Sequence, residues 1–279
     1  MKLSIIITHY KTPNLLTNCI ESILTYVKGI EYEVIVVDSG AEFSTQVLME
    51  EKFSIPNIHY VPFNENVGYG YSVNRGLKKA EGEFILIINA DILLRDEHSL
   101  PLLITYLDEH TDVGLIAGKL FNIDDTIQQS FFREPTLSAL FARRTGWRNT
   151  RWGRRALDYF EFGQYDFKKP LEVDWLMGSC LLTKREAFEK IGYFNEQFFM
   201  YFEDVDWARR ARFAGYRIIY HPKAVFTHWH IRASRGTRGI FDPFSNLYSR
   251  IHIKSYLKYF YKWRIMGLIK TPKTWQKKN

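Results

Sequence analysis

A short aromatic-rich stretch, "MYFEDVDWARR" (200–210), contains three acidic side chains that could take part in acid–base chemistry. The acids are Glu203, Asp204 and Asp206, and the large rings nearby are Phe198, Phe199, Tyr201, Phe202 and Trp207. Rings around a carboxyl group restrict water and raise its pKa, which suits proton transfer near neutral pH. Acids also favour the first turn of a helix, and Asp206 is spaced to pair with Arg210 one turn later. These helix effects account for Asp206 but not for the aromatic surroundings, which favour an acid–base site at a helix start.

Two residues that follow predicted strands could bind a divalent cation. Asp91 lies just past the buried run of "INADILL" (88–94), and His228 lies in "VFTHWH" (225–230). Mg²⁺ takes one or two protein carboxylates and adds phosphate oxygens and water, whereas imidazole suits Mn²⁺ better than Mg²⁺. Asp91 could instead cap a turn, and His228 could be an ordinary core histidine. The pair indicates a Mg²⁺ or Mn²⁺ site, with these alternatives open.

Asp38, in "VIVVDSG" (34–40), is a candidate for nucleotide binding. An acid after the second strand of an α/β fold often accepts hydrogen bonds from a ribose, although it could also bond its own turn. The dinucleotide fingerprint is missing after the first strand, and the glycines of "NVGYGYSVNRG" (66–76) follow the third strand instead. A Rossmann dehydrogenase is therefore disfavoured.

A predicted parallel sheet brings these polar residues together. Runs rich in Ile and Val alternate with amphipathic stretches, the strands covering 3–8, 31–38, 57–61 and 83–89 and the helices covering 14–27 and 69–80. This order favours an α/β fold with a mostly parallel sheet flanked by helices, in which ligands bind at the carboxyl ends of the strands. The polar residues at those ends are Thr8, Tyr10, Asp38, Asn89 and Asp91.

The second half of the chain is less regular at first. The pattern breaks down over 128–172, where residues 141–155 carry six arginines and two tryptophans, which predicts a long functional loop or a mobile helix pair. A strand and a helix then cover 173–192, a helix runs from about 203 to Gly215, and strands follow at 216–220 and 225–230. The first arginines of the cluster, Arg143 and Arg144, are expected to contact a diphosphate.

The last part of the chain, residues 231–279, differs in charge from the rest. It holds 12 Lys and Arg against one acidic residue, a charge of +11, while the preceding residues sum to −4 and the whole chain to +7. A helix over 244–266 would carry an apolar stripe (Ile253, Tyr256, Leu257, Phe260) and a basic face (Arg250, Lys254, Lys258, Lys262). A basic amphipathic helix of this kind predicts contact with an anionic membrane surface.

Composition excludes several classes of protein. A chain of 279 residues with 46% hydrophobic content can bury a large core, so it is not disordered. The two cysteines provide no disulfide framework and fit a reducing compartment. No run of about 18 apolar residues predicts a membrane span, and the N-terminal run is too short for a signal peptide. The expected location is cytoplasmic, peripheral on the inner face of the cell membrane.

The chain resembles the bacterial inverting glycosyltransferases of family 2, which have the GT-A fold. The resemblance rests on blocks in family order: "SIIITHYKTPNLLTNCIESIL", "VIVVDSG", "NENVGYGYSVNRGL", "FILIINADILL", "VDWLMGSCLLTKREAFEKIGYFNEQFFMYFEDVDWARRARFAGYRIIYHP" and "THWH". Within the family it is most similar to rhamnosyltransferases of cell-surface polysaccharide synthesis. The resemblance implies a catalytic domain over 1–230, with a donor-nucleotide half (1–120) and an acceptor and catalytic half (121–230), followed by a membrane-associating tail (231–279).

The resemblance also implies a role for each matching residue. Asp204 would be the general base, and Asp91 and His228 would hold the Mg²⁺ or Mn²⁺ ion. The family's Asp-x-Asp motif reads Asn89-Ala90-Asp91 here, so its first acid is absent. The donor-binding residues would be Thr8, Tyr10, Asp38, Asn66, Asn74, Asn89 and Asp91. The acceptor-binding residues would be Trp175, Gly178, Ser179 and Glu203.

The expected reaction is transfer of a sugar, rhamnose from dTDP-rhamnose by resemblance, to a lipid-linked saccharide with inversion. The other sugars left open are galactofuranose, galactose and N-acetylglucosamine. A sugar nucleotidyltransferase is disfavoured because "THYKTPNLL" (8–16) lacks a glycine- and basic-rich loop. A nucleic-acid binder is disfavoured because an acidic body would repel a polyanion. The expected partners are the nucleotide sugar, the lipid-linked acceptor and the membrane surface but no nucleic acid, with homodimerisation left open.

Overall fold

The structure is a computed structural model that describes residues 1–163, 165, 168–229 and 246–265, without the side chains of Arg144 and Ile265. The strands are β1 Leu3–His9, β2 Tyr32–Ser39, β3 Ile58–Phe63, β4 Phe84–Asn89, β5 Ile92–Leu94, β6 Val113–Phe121, β7 Ile127–Gln128, β8 Phe131–Phe132, β9 Leu171–Glu172, β10 Trp175–Leu176, β11 Cys180–Lys184 and β12 Arg217–His228. The α-helices are α1 Pro13–Tyr26, α2 Phe43–Glu51, α3 Tyr69–Leu77, α4 Ser99–Glu109, α5 Leu137–Arg144, α6 Arg151–Phe160, α7 Arg185–Ile191, α8 Glu203–Phe213 and α9 Leu247–Phe260.

The main sheet has the strand order β3-β2-β1-β4-β11-β6-β12-β5 in the described residues. The first four strands are parallel, β11 runs antiparallel to both of its neighbours, and β12 is again parallel to β6. Two small strands extend the sheet, β7 on β6 and β9 on β12, while β8 and β10 form a separate pair. The predicted α/β architecture with a mostly parallel sheet is confirmed.

Both faces of the sheet are covered, as the unbroken apolar runs require. Ile5, Ile6 and Ile7 of β1 are all fully buried, with Ile5 and Ile7 in one core cluster and Ile6 in another. Helices α1 and α4 contribute to the first cluster, and helices α3, α7 and α8 contribute to the second. A strand buried on both faces has no polar side, which explains why these runs do not alternate.

The parallel register brings the predicted polar residues to one edge. His9 lies beside Asp38 across β1 and β2, and Thr8 lies beside Asn89 across β1 and β4. The chain then leaves β4 and returns as β5, which pairs with the end of β12 so that Ile92 faces His228. The carboxyl edge of the sheet is therefore the crevice that the sequence predicts.

The arginine-rich segment is helical. It comprises α5, a 3₁₀ helix at Gly146–Asn149 and α6, each preceded by a threonine whose hydroxyl accepts a backbone hydrogen bond: Thr136, Thr145 and Thr150. Such N-caps satisfy donors that a helix start leaves unpaired. Of the two alternatives predicted for this segment, the structure shows the helix pair.

The C-terminal helix predicted over 244–266 is seen as α9, followed by a π-helical turn at Tyr261–Ile265. Residues 231–245 and 266–279 of the predicted tail lie outside the described residues. Helix α9 and the turn after it pack on the body through Tyr256, Tyr259 and Trp263, which join a cluster with Phe198 and Phe202. Sequence patterning did not predict this docking.

Candidate active site

Helix α8 begins in an unusual turn. Tyr201 and Phe202 have φ angles of +68° and +69°, a left-handed conformation that large side chains rarely adopt. The turn sends the chain directly into the three acids of the first helical turn, Glu203, Asp204 and Asp206. The positive end of the helix favours negative charge at these positions. The three carboxyl groups nevertheless have different surroundings.

Asp204 is partly buried, and its carboxylate is held by backbone donors. The N–H of Gly178 donates to Oδ2 at 3.0 Å, and the N–H of Val205 donates to Oδ1 at 2.8 Å. Burial raises the pKa of Asp204 to about 6, although the hydrogen bonds from Gly178 and Val205 act in the opposite direction. At neutral pH the group is an oriented carboxylate that is more basic than an ordinary aspartate, which suits a general base.

Gly178 allows the close approach that this contact needs. A Cβ atom at Gly178 would lie 3.2 Å from Cβ of Asp204 and 3.3 Å from the hydroxyl oxygen of Tyr69. Both distances are shorter than ordinary van der Waals contact, so a side chain here would push against the carboxylate. The resemblance implies that Gly178 binds the acceptor, and this stays a prediction. The structure shows that the Gly178 N–H supports the carboxylate of Asp204.

Glu203 is buried, and its Oε2 accepts no hydrogen bond from the described residues. Burial raises the pKa of Glu203 well above its usual range, and the nearby charge of Asp204 raises it further. The raised pKa favours the protonated form of Glu203 relative to that of Asp204. A protonated carboxyl group can donate a hydrogen bond to a substrate hydroxyl.

Tyr69 is a member of the site that sequence reasoning missed. Its hydroxyl donates to the carbonyl oxygen of Gly178. Burial is the main reason that the pKa of Tyr69 lies well above its usual range. The neighbouring acids Glu203 and Asp204 raise this pKa further, and Asp91 does so to a lesser extent. The phenol therefore lies close enough to the acids of α8 and to Asp91 to be affected by both. The available signal was a tyrosine at a helix start in 66–76, a segment considered only for its glycines.

Asp91 and His228 meet because β5 pairs with β12. His228 Nε2 lies 3.4 Å from Asp91 Oδ1, and His228 Nδ1 is hydrogen-bonded to Oε1 of Gln128 at 2.7 Å. Because an amide oxygen only accepts, Nδ1 donates in this contact, and the ring then presents Nε2 to Asp91. The backbone carbonyl of Asp91 is held by the N–H of Trp229 at 2.7 Å. Sequence reasoning missed Gln128, and nothing in its surroundings marked it.

These two side chains fit a cation that also binds phosphate. Asp91 Oδ1 is buried and accepts no hydrogen bond from the described residues. Within 1–163, 165, 168–229 and 246–265, no group of three or more His, Cys, Asp or Glu side chains could hold a metal ion. A Mg²⁺ or Mn²⁺ ion at this position would therefore have two protein ligands and would take its remaining ligands from phosphate and water.

The predicted donor residues at the end of β1 have different exposures. The Thr8 hydroxyl donates to Asn89 Oδ1 at 3.0 Å, and both side chains are partly buried. Tyr10 is 42% exposed. Gly40 has a φ angle of +78°, and a Cβ atom there would lie 3.0 Å from the Tyr10 ring, so the ring packs closely over that turn. An exposed ring beside a crevice can stack on a base.

Asp38 is fully buried, and both of its carboxylate oxygens have protein partners. Oδ1 is 2.7 Å from Nδ1 of His9, and Oδ2 accepts from the hydroxyl of Tyr60 at 2.7 Å. His9 in turn accepts a hydrogen bond at Nε2 from the N–H of Thr12 at 2.9 Å. Asp38 thus supports the loop at the end of β1, and direct contact with the nucleotide stays a prediction. Sequence reasoning missed Tyr60 and the pairing with His9.

Asn66 and Asn74 both stabilise backbone in this structure. Asn66 Oδ1 accepts from the N–H of Gly68 at 3.1 Å. Asn74 is buried, exchanges hydrogen bonds with the backbone of Phe194 and donates to Glu196 Oε1, each at 2.9 Å. Asn74 therefore holds the loop that leads to α8. Donor binding by these two residues stays a prediction.

The remaining acceptor-side residues lie on the segment that ends in Gly178 and Ser179. The Trp175 ring stacks on Phe132 at 4.6 Å, and its Nε1 donates to the carbonyl oxygen of Arg133 at 2.9 Å. The carbonyl oxygen of Ser179 accepts a hydrogen bond from the N–H of Asn89 at 3.0 Å, and the Ser179 hydroxyl is buried. This segment therefore links the end of β4 to Asp204.

Arg143 contacts an acidic side chain and two aromatic rings. Its Nε is 3.8 Å from Glu161 Oε1, and its guanidinium lies over Phe132 and Phe160 at 5.3 and 5.4 Å from the ring centres. The side chain of Arg144 lies outside the described residues. Contact of these arginines with a diphosphate stays a prediction.

Comparison with known proteins identifies the family. The family model described as Glycosyl transferase family 2 matches residues 4–192, more than half of the chain. The chain belongs to glycosyl transferase family 2. Its sheet order, with the acids of α8 and Asp91 at the carboxyl edge, is the GT-A fold. This membership decides for glycosyl transfer over nucleotidyl transfer.

Two relatives of this family 2 enzyme are named as rhamnosyltransferases. It is 28% identical over 261 residues to N-acetylglucosaminyl-diphospho-decaprenol L-rhamnosyltransferase of Mycobacterium tuberculosis, covering 87% of this chain and 78% of the relative. It is 26% identical over 215 residues to rhamnosyltransferase WbbL of Escherichia coli, covering 73% of this chain and 71% of the relative.

A similar solved structure is the mannosyltransferase PcManGT from Pyrobaculum calidifontis in complex with GDP-Man and Mn²⁺. The TM-score is 0.56 at 20% identity, covering 83% of this chain and 57% of that chain. At this identity the likeness shows the fold alone. The chain spans little more than half the length of this solved relative.

The described helices include none that is both long and apolar enough to cross a bilayer.

Proposed function

We propose that this protein is an inverting glycosyltransferase that moves rhamnose from dTDP-rhamnose to a hydroxyl of a lipid-linked saccharide, with Asp204 as the general base. The observation that carries the proposal is the environment of Asp204, which is held by Gly178 in a crevice and has a pKa raised to about 6. The names of the relatives at 28% and 26% identity support rhamnose as the sugar. Galactofuranose, galactose and N-acetylglucosamine are the alternatives to test.

The reaction would be a single in-line displacement. Asp204 takes the proton of the acceptor hydroxyl as the oxygen attacks the anomeric carbon. The bond between that carbon and the diphosphate oxygen breaks, its electron pair leaves with the nucleoside diphosphate, and the configuration inverts. Glu203, whose protonated form is favoured by burial, would donate a hydrogen bond to a neighbouring acceptor hydroxyl and so orient the sugar.

Asp91 and His228 would hold the divalent cation. A bound Mg²⁺ or Mn²⁺ ion would neutralise charge on the leaving diphosphate. The buried Asp91 Oδ1, which accepts no hydrogen bond from the described residues, and the orientation of His228 by Gln128 support this assignment. The solved relative with GDP-Man and Mn²⁺ is consistent with it. Tyr10, Thr8 and Asn89 would contact the donor directly. Asp38 would support the donor site through His9 and Tyr60, and Asn66 and Asn74 would do so through their backbone contacts, in addition to any direct contact with the nucleotide.

A groove against helix α9 supports a lipid-linked acceptor. It lies between the start of α5 and helix α9, has a volume of about 480 Å³ and is mostly apolar. Its lining residues are Glu134, Pro135, Leu137, Tyr256, Tyr259, Phe260 and Arg264. A groove of this volume can take several isoprene units, and the basic Arg264 at its rim suits a diphosphate.

The outer face of α9 supports contact with a membrane surface. Ile253, Leu257 and Tyr261 are 37%, 58% and 57% exposed, and the basic residues Arg250 and Lys254 are exposed between them. Apolar and basic side chains on one helix face favour insertion at the interface of an anionic bilayer. Because α9 also lines the groove, a lipid carrier could enter the groove from this surface.

A nucleotide-sugar panel tests the proposal. Purified full-length protein is incubated with dTDP-, UDP- and GDP-sugars, with and without Mn²⁺, and with a synthetic polyprenyl-diphosphate saccharide as acceptor. The expected result is acceptor-dependent release of dTDP from dTDP-rhamnose that requires the cation. Release from a different nucleotide sugar would correct the donor alone, whereas no release from any of them would overturn the proposed function.

A further inference from the structure

Asp206 is the most deeply buried of the three acids, and residues far along the chain neutralise it. Its side chain is fully buried. Oδ2 accepts from Nε of Arg210 at 3.1 Å, the pairing expected from sequence. Oδ1 accepts from Nζ of Lys262 at 2.6 Å and from Nε1 of Trp263 at 2.8 Å. Both donors come from the π-helical turn after α9, so the end of that helix is fixed to the acid two residues beyond the proposed base.

The same helix covers the left-handed turn before α8. The Phe202 ring lies 5.6 Å from Tyr256 and 5.4 Å from Tyr259, and the Tyr201 ring lies 4.9 Å from His252. Left-handed backbone at two successive aromatic residues is unfavourable and persists only where the surroundings hold it. Helix α9 supplies those surroundings, since Phe202, Tyr256 and Tyr259 belong to one cluster.

The segment that carries Gly178, the hydrogen-bond donor to Asp204, is also connected to α9. The hydroxyl of Tyr259 donates to Glu134 Oε1, and Glu134 also pairs with Arg209 and Arg212 of α8. Arg212 also reaches Asp174 at 2.8 Å, just before the strand that leads to Gly178. The helix therefore contacts both the backbone that precedes Asp204 and the network behind its hydrogen-bond donor.

We propose that Lys262 and Trp263 are positioning residues for glycosyl transfer. By binding the buried carboxylate of Asp206, they fix the first turn of α8 and so hold Asp204 in line with the acceptor hydroxyl. The inference rests on the proposed role of Asp204 as base. It predicts that the basic C-terminal segment acts on the chemical step, in addition to any contact that its outer face makes with a membrane.

A purely stabilising role for the tail predicts a different outcome. Loss of a packing contact would lower the thermal midpoint, and the remaining folded molecules would turn over normally. Loss of positioning lowers kcat in molecules that are folded and bind dTDP normally, because a general base acts only at the correct distance and angle. Measuring kcat per folded molecule therefore separates the two roles.

The test uses full-length Lys262→Met, Trp263→Phe and the double variant, with Lys79→Met, at an exposed lysine of the body, as the control. Trp263→Phe keeps an aromatic ring over Phe213, which the indole stacks on at 5.3 Å, and removes the N–H donor. In detergent with Mn²⁺, kcat of the double variant should fall by about tenfold or more while dTDP affinity changes by less than about twofold. Lys262→Arg, which keeps the charge, should restore most of the rate.

The possible results separate this inference from the proposed function. If Asp204→Asn is inactive but the double variant keeps the kcat of Lys79→Met, the positioning role is wrong and the base assignment stands. If Asp204→Asn turns over at the unsubstituted rate, the base assignment fails and the inference fails with it. If the double variant does not fold, the single variants decide, and normal kcat in both overturns the positioning role.

Discussion

Gly178 donates its backbone N–H to Asp204 Oδ2 at 3.0 Å, and a Cβ atom at position 178 would come within 3.2 Å of Asp204 Cβ, closer than an ordinary contact. The contact joins the segment after β10 to the first turn of α8. It fixes one carboxylate oxygen of Asp204 and leaves the group partly exposed in the crevice. Of the three acids in the aromatic-rich stretch, Asp204 alone is both held by a backbone donor and accessible from the crevice, whereas Glu203 and Asp206 are buried.

Substitution of Gly178 by alanine should impair catalysis more than nucleotide binding. The added Cβ would meet Asp204 Cβ at 3.2 Å, so either the helix or the β10 segment must move. Overpacking of this kind costs about 1–3 kcal/mol in the free energy of unfolding. We expect a lower kcat with dTDP affinity unchanged, measured by steady-state kinetics and calorimetry. Gly146→Ala, at a glycine with open space around it, is the control. A Gly178→Ala enzyme with normal kcat would show that the contact does not matter.

The rate of transfer should depend on pH through Asp204. Burial raises its pKa to about 6, and the base acts in its ionised form. The rate should therefore be constant above about pH 7 and should fall by about tenfold per unit of pH below about 6. The measurement is kcat between pH 5 and 8 at saturating substrates, and a flat profile would contradict the assignment.

Removal of the cation ligands should abolish the response to Mn²⁺. Asp91→Asn and His228→Ala each remove one of the two side chains that meet at 3.4 Å. Gln128→Ala, which frees Nδ1 of His228, should weaken Mn²⁺ binding by about 10–100-fold. Calorimetric titration of Mn²⁺ in the presence of dTDP gives the affinity directly. The control is His59→Ala, an exposed histidine of β3. Unchanged Mn²⁺ affinity in His228→Ala would place the cation elsewhere.

Charge removal on the outer face of α9 should release the protein from anionic vesicles. Each basic residue near such a surface contributes about 1 kcal/mol, so Arg250→Gln with Lys254→Gln should weaken binding by about tenfold or more. Because α9 is docked on α8, these substitutions are a cleaner test than deletion of the whole helix. The assay is sedimentation with vesicles of anionic or neutral lipid, and Lys28→Gln with Lys79→Gln is the control on the body. Equal binding of both double variants to anionic vesicles would contradict the membrane proposal.

The sheet and its polar edge are predictable from sequence because they depend on local patterns. Runs such as 83–89 are apolar throughout, and a strand buried on both faces needs only that composition. Parallel pairing then brings Thr8, Asp38 and Asp91 to one edge without further information. The helix over 203–213 and its pairing of Asp206 with Arg210 follow from spacing of one turn.

The parts that sequence could not predict depend on contacts between distant segments. Tyr69 reaches Gly178, and Lys262 reaches Asp206, across separations that no local pattern encodes. The left-handed turn at Tyr201 and Phe202 runs against the preference for glycine in that conformation. It exists because rings of α9 pack on it, and the docking of α9 is itself a tertiary event.

The measurement that tests the central claim most directly is kcat of Asp204→Asn in the dTDP-rhamnose assay, paired with calorimetry of dTDP binding. Asparagine keeps the size of the side chain and an oxygen for the Gly178 N–H but cannot take a proton. We expect kcat to fall by about 10²–10⁴-fold with dTDP affinity and thermal midpoint close to those of the unsubstituted protein. Asp206→Asn, by contrast, should lower the thermal midpoint because Lys262 loses its partner. Full activity in Asp204→Asn would contradict the account, since some other group would then have to be the base.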